Sequence, residues 1–186
     1  EAISKMYTLG YVSEDQYSQK ESTAEDAKLD NKLTMDLSRQ LRHPLATMSA
    51  DADKCYDRIN HIVMSLLLLA IIGTVGPVVA MLHPIQSMKF YQRTARGDSK
   101  TFMGGRGRDN PLQGLCQGNG AAPACWLIIC SVLMHCYKSR GFGSRIISPI
   151  SGAVIDFLGE IYVDDTDLIV THPDLKTPEA VLEGLH

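Results

Sequence analysis

Apolar and polar positions follow two periods along this chain, and the changes of period locate its elements. From Ser22 to Leu41, the residues Ala27, Leu29, Leu33, Leu37 and Leu41 recur at helix-like spacing among charged neighbours, which predicts one amphipathic helix. Pro44 ends it, and Leu45-Ala46-Thr47-Met48-Ser49-Ala50 then reads as a short strand that delivers Asp51 at its end. The 21 residues from Ile62 to Leu82 carry no charge. Their length would suit a membrane helix, but Gly73, Gly76 and Pro77 interrupt the centre. Two shorter buried helices are expected instead, over Asn60 to Ile72 and Pro77 to Arg93, and no membrane is expected as a partner.

The stretch Arg96 to Gly120 holds seven of the 15 glycines and reads as one flexible region, followed by a buried helix over Ala121 to Tyr137. Near the C-terminus, Glu160-Ile161-Tyr162-Val163 and Thr166-Asp167-Leu168-Ile169-Val170 are β-prone runs on either side of Asp164-Asp165. An acid pair between two such runs predicts the turn of a hairpin.

Length and composition bound the rest. At 186 residues and 45% hydrophobic content the chain can bury a core of its own and suits one domain more than two. Eighteen basic against 21 acidic residues give a net charge of -3, which offers no overall attraction to nucleic acid. The distribution changes that picture. Nine Lys or Arg against two Asp lie between Lys89 and Arg145, whereas eight acids and one Lys follow Ile146. A basic middle can follow a phosphate backbone, and an acidic end can concentrate cations. Cys55, Cys116, Cys125, Cys130 and Cys136 form no C-x-x-C pair and are odd in number, so reduced core thiols are expected. The start at Glu1, without Met or a charged and apolar leader, predicts a fragment of an intracellular protein, nuclear or cytoplasmic.

Three stretches carry candidate chemistry. The first is Asp51-Ala52-Asp53-Lys54-Cys55-Tyr56-Asp57-Arg58-Ile59-Asn60-His61, whose leading acid sits at a strand end, a rigid place for a ligand. The second, Gly114-Leu115-Cys116-Gln117-Gly118-Asn119-Gly120-Ala121-Ala122-Pro123, puts a Gln-Gly step before small residues and a buried helix. Its glycines leave room for close approach, and Gln117 can both donate and accept hydrogen bonds. The third is the Asp164-Asp165 doublet. Nucleotidyl transfer by a two-metal route needs carboxylates that hold two Mg²⁺ roughly 3.5 to 4 Å apart, and Asp51, Asp164 and Asp165 could supply them. The loop Gly104-Gly105-Arg106-Gly107-Arg108 fits neither a Walker loop nor a dinucleotide fingerprint and reads as a mobile turn, and the six histidines show no metal-ligand spacing.

In this order the three stretches resemble the reverse transcriptase family, most closely the type found in retrotransposons without long terminal repeats, over about residues 14 to 170. Asp51 to His61 looks like the first palm motif, Gly114 to Pro123 like the Gln-Gly motif, and Tyr162-Val163-Asp164-Asp165 like the aromatic-x-Asp-Asp signature. The upstream segment Gln16 to Ala27 is similar to the one that precedes the palm, with Ser18 and Glu21 in place of the usual glycine and basic residue.

The resemblance implies an α+β polymerase palm, a ferredoxin-like antiparallel sheet backed by helices. Residues 1 to 44 would be a partial fingers-side segment and residues 45 to 186 the palm. It implies a catalytic, metal-binding triad of Asp51, Asp164 and Asp165, holding two Mg²⁺ or, in substitution, Mn²⁺. Ala52 would offer a backbone carbonyl, Tyr56 would be the steric gate against a ribose 2′-hydroxyl, and Gln117 and Gly118 would line the nucleotide pocket. The implied activity is RNA-directed DNA synthesis, with an RNA template, a DNA primer, deoxynucleoside triphosphates and the other domains of a retroelement polyprotein as partners. The basic fingers residues would lie upstream of Glu1 and the thumb beyond His186. Two alternatives stand beside it: an inactive or co-opted element fragment that only binds nucleic acid, and an RNA-dependent RNA polymerase.

Overall fold

Where the sequence reads as one long apolar run, the chain folds as two helices. The computed structural model describes residues 2–19, 21–104, 114–148 and 150–171. The chain divides into two units, one of Glu1–Leu9 with Lys54–Trp126 and the other of Gly10–Asp53 with Leu127–His186.

In the first unit, α1 (Ala2–Thr8) is followed, after the break in sequence, by a 3-10 turn (Cys55–Arg58) and then by α3 (His61–Ile72) and α4 (Val75–Ser87). Asn60 starts α3 by accepting from the amides of Ile62 at 2.8 Å and Val63 at 3.3 Å, which occupies two otherwise unpaired donors. Gly73 stops it in the left-handed region at φ 83°, its amide bonded to the Leu69 carbonyl at 2.8 Å. Met64, Leu68 and Ile71 of α3 and Val78, Leu82 and Ile85 of α4 are buried where the two helices pack. Among the described residues no helix is long and apolar enough to cross a membrane.

The second of these helices ends earlier than its expected limit at Arg93. Met88 turns extended, and β2 (Lys89–Thr94) pairs antiparallel with β3 (Gly97–Gly104) across a two-residue turn. Lys89-Phe90-Tyr91-Gln92-Arg93-Thr94 has the aromatic content of a strand and finds its partner a few residues away, so local pairing overrides continuation of the helix. The expected flexible region from Arg96 therefore begins as a strand. Residues 105–113, with most of the Gly104 to Arg108 loop, lie outside the described residues.

In the second unit, α2 (Ala24–Gln40) opens with a capping box. Thr23 Oγ1 accepts from the Asp26 amide at 3.2 Å, and Asp26 accepts from the Thr23 amide at 2.9 Å. Its buried face differs from the predicted leucine stripe: Ala27, Asn31, Thr34 and Ser38 are buried, while Leu29, Leu33 and Leu41 are exposed. The helix packs on the strands Ser144–Ile147 and Gly159–Tyr162, and small side chains allow the close approach that a row of leucines would prevent.

The sheet beneath it has the order β1-β7-β6, all antiparallel, from Ala46–Asp51, Asp165–Val170 and Gly159–Tyr162. Leu168, Ile169 and Val170 are buried in succession, as expected for a central strand covered on both faces. A second hairpin joins β4 (Ser144–Ile147) to β5 (Val154–Phe157). Helix α5 (Ala122–Ser139), close to its predicted limits, has its first five residues in the first unit and the rest in the second. Among the described residues there is no disulfide, and Cys55, Cys125 and Cys130 are buried, as a set of reduced core thiols requires; Cys136 departs from that expectation and is exposed.

Candidate active site

Pairing of β1 with β7 brings the first and third motifs together. Asp51 is the cross-strand partner of Asp165, and one step further the Ala52 amide donates to the Asp164 carbonyl at 3.1 Å. Asp164 stands in the β6–β7 turn and Asp165 is the first residue of β7, so both acids are held by a two-residue hairpin turn. Ala52 is fixed here through its N–H, where the resemblance assigned it a carbonyl role. Val163, the other turn residue, has φ 57°, a left-handed conformation uncommon for a β-branched residue. Its amide donates to Ser18 Oγ. Ser18 thus ties the upstream segment to the acid-bearing turn. That segment also runs beside β6: the Tyr17 amide donates to the Ile161 carbonyl at 2.9 Å, and the Ile161 amide to the Asp15 carbonyl at 3.1 Å. Tyr17 Oη then donates to Asp30 Oδ2 of α2 at 2.6 Å.

Alternation along the strands puts Asp51 and Ser49 of β1, Asp165 and Asp167 of β7, and Glu160 and Tyr162 of β6 on one face of the sheet. Between this face and Lys28, Asn31, Lys32 and Met35 of α2 runs a groove of about 510 Å³, with Asp51 and Asp165 among its lining. Asn31 Nδ2 donates to Asp167 Oδ2 at 3.1 Å. Burial and the neighbouring Asp167 push the Glu160 carboxyl up, against lowering by the Asn31 amide and Lys28. Asn31, Asp167 and Glu160 thus form a polar anchor beneath the hairpin that carries the acid pair. A larger cavity in the same unit, about 600 Å³ beside β4 and β5, touches none of the predicted site residues.

The donor chemistry of Asp51, Asp164 and Asp165 fits a hard divalent cation, since all three offer carboxylate oxygen. All three side chains are exposed, and among the described residues no three His, Cys, Asp or Glu side chains are gathered as a metal site. The backbone brings the three residues together, and side-chain rotation would have to complete a cage.

Tyr56, Gln117 and Gly118 all lie in the first unit. The Leu115 amide donates to the Tyr56 carbonyl at 2.8 Å and the Gln117 amide to Asp57 Oδ1 at 3.2 Å, so the end of the first motif is fastened to the Gln-Gly motif. His61 Nε2 lies 2.5 Å from the Gly114 carbonyl oxygen, a structural histidine as expected. Gly114 adopts φ 87°, and a Cβ there would overlap the Asp57 backbone. Tyr56 is half-buried, and Gln117 and Gly118 are exposed.

The residues that sequence reasoning passed over are Asn31, Glu160, Asp167 and Ser18. The signal for Asp167 was present in the alternation Asp165-x-Asp167, which puts both acids on one strand face; Asn31 had none, being a polar residue within a leucine-bearing helix.

The fold has solved counterparts. Telomerase from Candida tropicalis in complex with the TWJ fragment of telomeric RNA matches 93% of this chain with a TM-score of 0.58 at 15% identity. Apo telomerase from the same organism, truncated from its C-terminal domain, matches 99% with a TM-score of 0.58 at 15% identity. The fold is palm-like. It is an α+β arrangement shared with these two telomerases, and this chain spans 28% and 34% of their lengths. No protein-family model matches the sequence, and no curated protein matches it.

Proposed function

We propose that this chain is the palm core of a reverse transcriptase of the retrotransposon type without long terminal repeats, adding deoxynucleotides to a DNA primer on an RNA template. The observation that supports it best is the register of β1 on β7, which pairs Asp51 with Asp165 and bonds Ala52 to Asp164. In this reading Asp51, Asp164 and Asp165 hold two Mg²⁺, or Mn²⁺. When bound, the ions would activate the primer hydroxyl and steady the leaving pyrophosphate.

The chain's own residues position the reactants. Tyr56 would stand against the 2′ position of the incoming sugar, and Gln117 and Gly118 would border the base pair being formed. Ser18 and the Asn31–Asp167–Glu160 anchor would keep the acid-bearing turn in register. The remaining domains of a retroelement polyprotein would supply the rest of the template grip, within the nucleus or cytoplasm.

A second reading is a fragment that binds nucleic acid without catalysis. Primer extension separates the two. With the longer protein that carries the remaining domains, an RNA template, a DNA primer, Mg²⁺ and deoxynucleotides, the first reading expects extension that Asp164→Asn abolishes. Equal extension by both proteins would overturn it, and a folded wild type that binds RNA yet never extends the primer would establish the second.

A further inference from the structure

The β2–β3 hairpin of the first unit is exposed along nearly its whole length. Every residue of β2 is exposed, and in β3 only Ser99 and Gly104 are not. A solvated hairpin usually carries polar side chains, yet this one displays Phe90, Tyr91, Phe102 and Met103, with Tyr91 51% and Met103 66% exposed. The rings are ordered against each other. Tyr91 and Phe102 are cross-strand partners with centroids 5.7 Å apart, and Lys89 Nζ lies 4.5 Å from the Phe102 centroid. Lys89, Tyr91 and Phe102 therefore share one face.

Charge selects the partner. Lys89, Arg93, Arg96 and Lys100 face a single acid, Asp98, which Arg93 engages at 2.8 and 3.2 Å. The chain as a whole is acidic at -3, so the basic character here is local. Exposed rings set among cations are what a flexible strand of nucleotides needs, with π faces for its bases and ammonium groups for its phosphates. A second copy of this chain would bring the same positive hairpin and meet repulsion.

We propose that the β2–β3 hairpin binds single-stranded nucleic acid, Tyr91 and Phe102 stacking bases while Lys89 and Lys100 meet the flanking phosphates. This site needs neither the acid triad nor a metal ion, so it stands or falls independently of polymerase activity.

The test is fluorescence anisotropy with a labelled single-stranded RNA of mixed sequence, in EDTA, using the Asp164→Asn chain as the parent so that no synthesis or cation site contributes. Tyr91→Ala should weaken binding by roughly tenfold or more, whereas Tyr91→Trp should retain it and show quenching of the added indole fluorescence. Lys89→Gln with Lys100→Gln should flatten the slope of log affinity against log salt by about 1.4, given roughly 0.7 per phosphate contact on a single strand. Circular dichroism confirms folding of each variant. Binding unchanged in both Tyr91→Ala and Phe102→Ala would overturn the proposal. So would a concentration-dependent dimer, without RNA, that Tyr91→Ala dissolves, because the face would then serve a protein contact.

Discussion

Gly159 opens β6, pairs with Leu168 of β7, and adopts φ 136°. A Cβ there would overlap the Asp167 carbonyl oxygen and stand 2.9 Å from Leu168 Cα, and both obstacles are backbone atoms of the strand that carries Asp165. Gly159→Ala therefore incurs two costs. A left-handed alanine loses about 1–2 kcal/mol. Prying β6 from β7 weakens ladder bonds worth about 1 kcal/mol each, so the whole is about 3–5 kcal/mol. With a urea slope of about 2 kcal/mol/M, the unfolding midpoint followed by far-UV circular dichroism should fall by about 2 M. Gly76→Ala is the control: a Cβ at that α4 position meets nothing within 4 Å, and the variant should match wild type or gain up to about 1 kcal/mol. A Gly159→Ala midpoint within about 0.3 M of wild type would refute the packing described for the hairpin.

Three further outcomes follow from the same geometry. Asp164→Asn replaces an exposed side chain and should leave stability within about 0.5 kcal/mol of wild type in the same urea assay, so that any loss of primer extension is chemical. Ser18→Ala removes the acceptor for the Val163 amide, and hydrogen exchange at that amide should quicken by about tenfold while core amides of β7 stay unchanged. Glu160 has its proton affinity raised by burial and by Asp167, so the folded chain favours the protonated form. That contribution is complete below the ordinary glutamate range and is lost as pH rises through the raised value. Glu160→Gln should therefore gain on wild type in urea midpoint as pH increases towards neutrality, with Asp15, whose carboxyl burial also pushes up, acting equally in both proteins; parallel pH curves would contradict the assignment.

What the sequence made legible was local. The break at Gly73, the helix following Ser22, the strand ending at Asp51 and the Asp164 turn each rest on residues near one another in the chain, and each was readable in advance. The misreadings were tertiary. The leucines of α2 signalled a core face, but the sheet it covers carries Glu160 and Asp167 on that side, and Asn31 meets them where a leucine would leave carboxylates without a donor. Helix α4 was extended through Phe90 and Tyr91 because apolar spacing alone does not distinguish a helix end from a strand, and the partner strand was hidden in a glycine-bearing stretch. The pairing of Asp51 with Asp165 was proposed from motif order, and only the strand register makes it a physical neighbourhood.

The claim on which the function depends is that Asp51, Asp164 and Asp165 act as one cation site, and Mn²⁺ binding tests it without requiring any other domain. Titrating Mn²⁺ into the chain and following the free-ion signal by electron paramagnetic resonance should reveal binding of about two ions in the presence of a deoxynucleoside triphosphate. Binding should be lost in each of Asp51→Asn, Asp164→Asn and Asp165→Asn, with circular dichroism unchanged. A wild-type titration indistinguishable from the triple asparagine variant would contradict it.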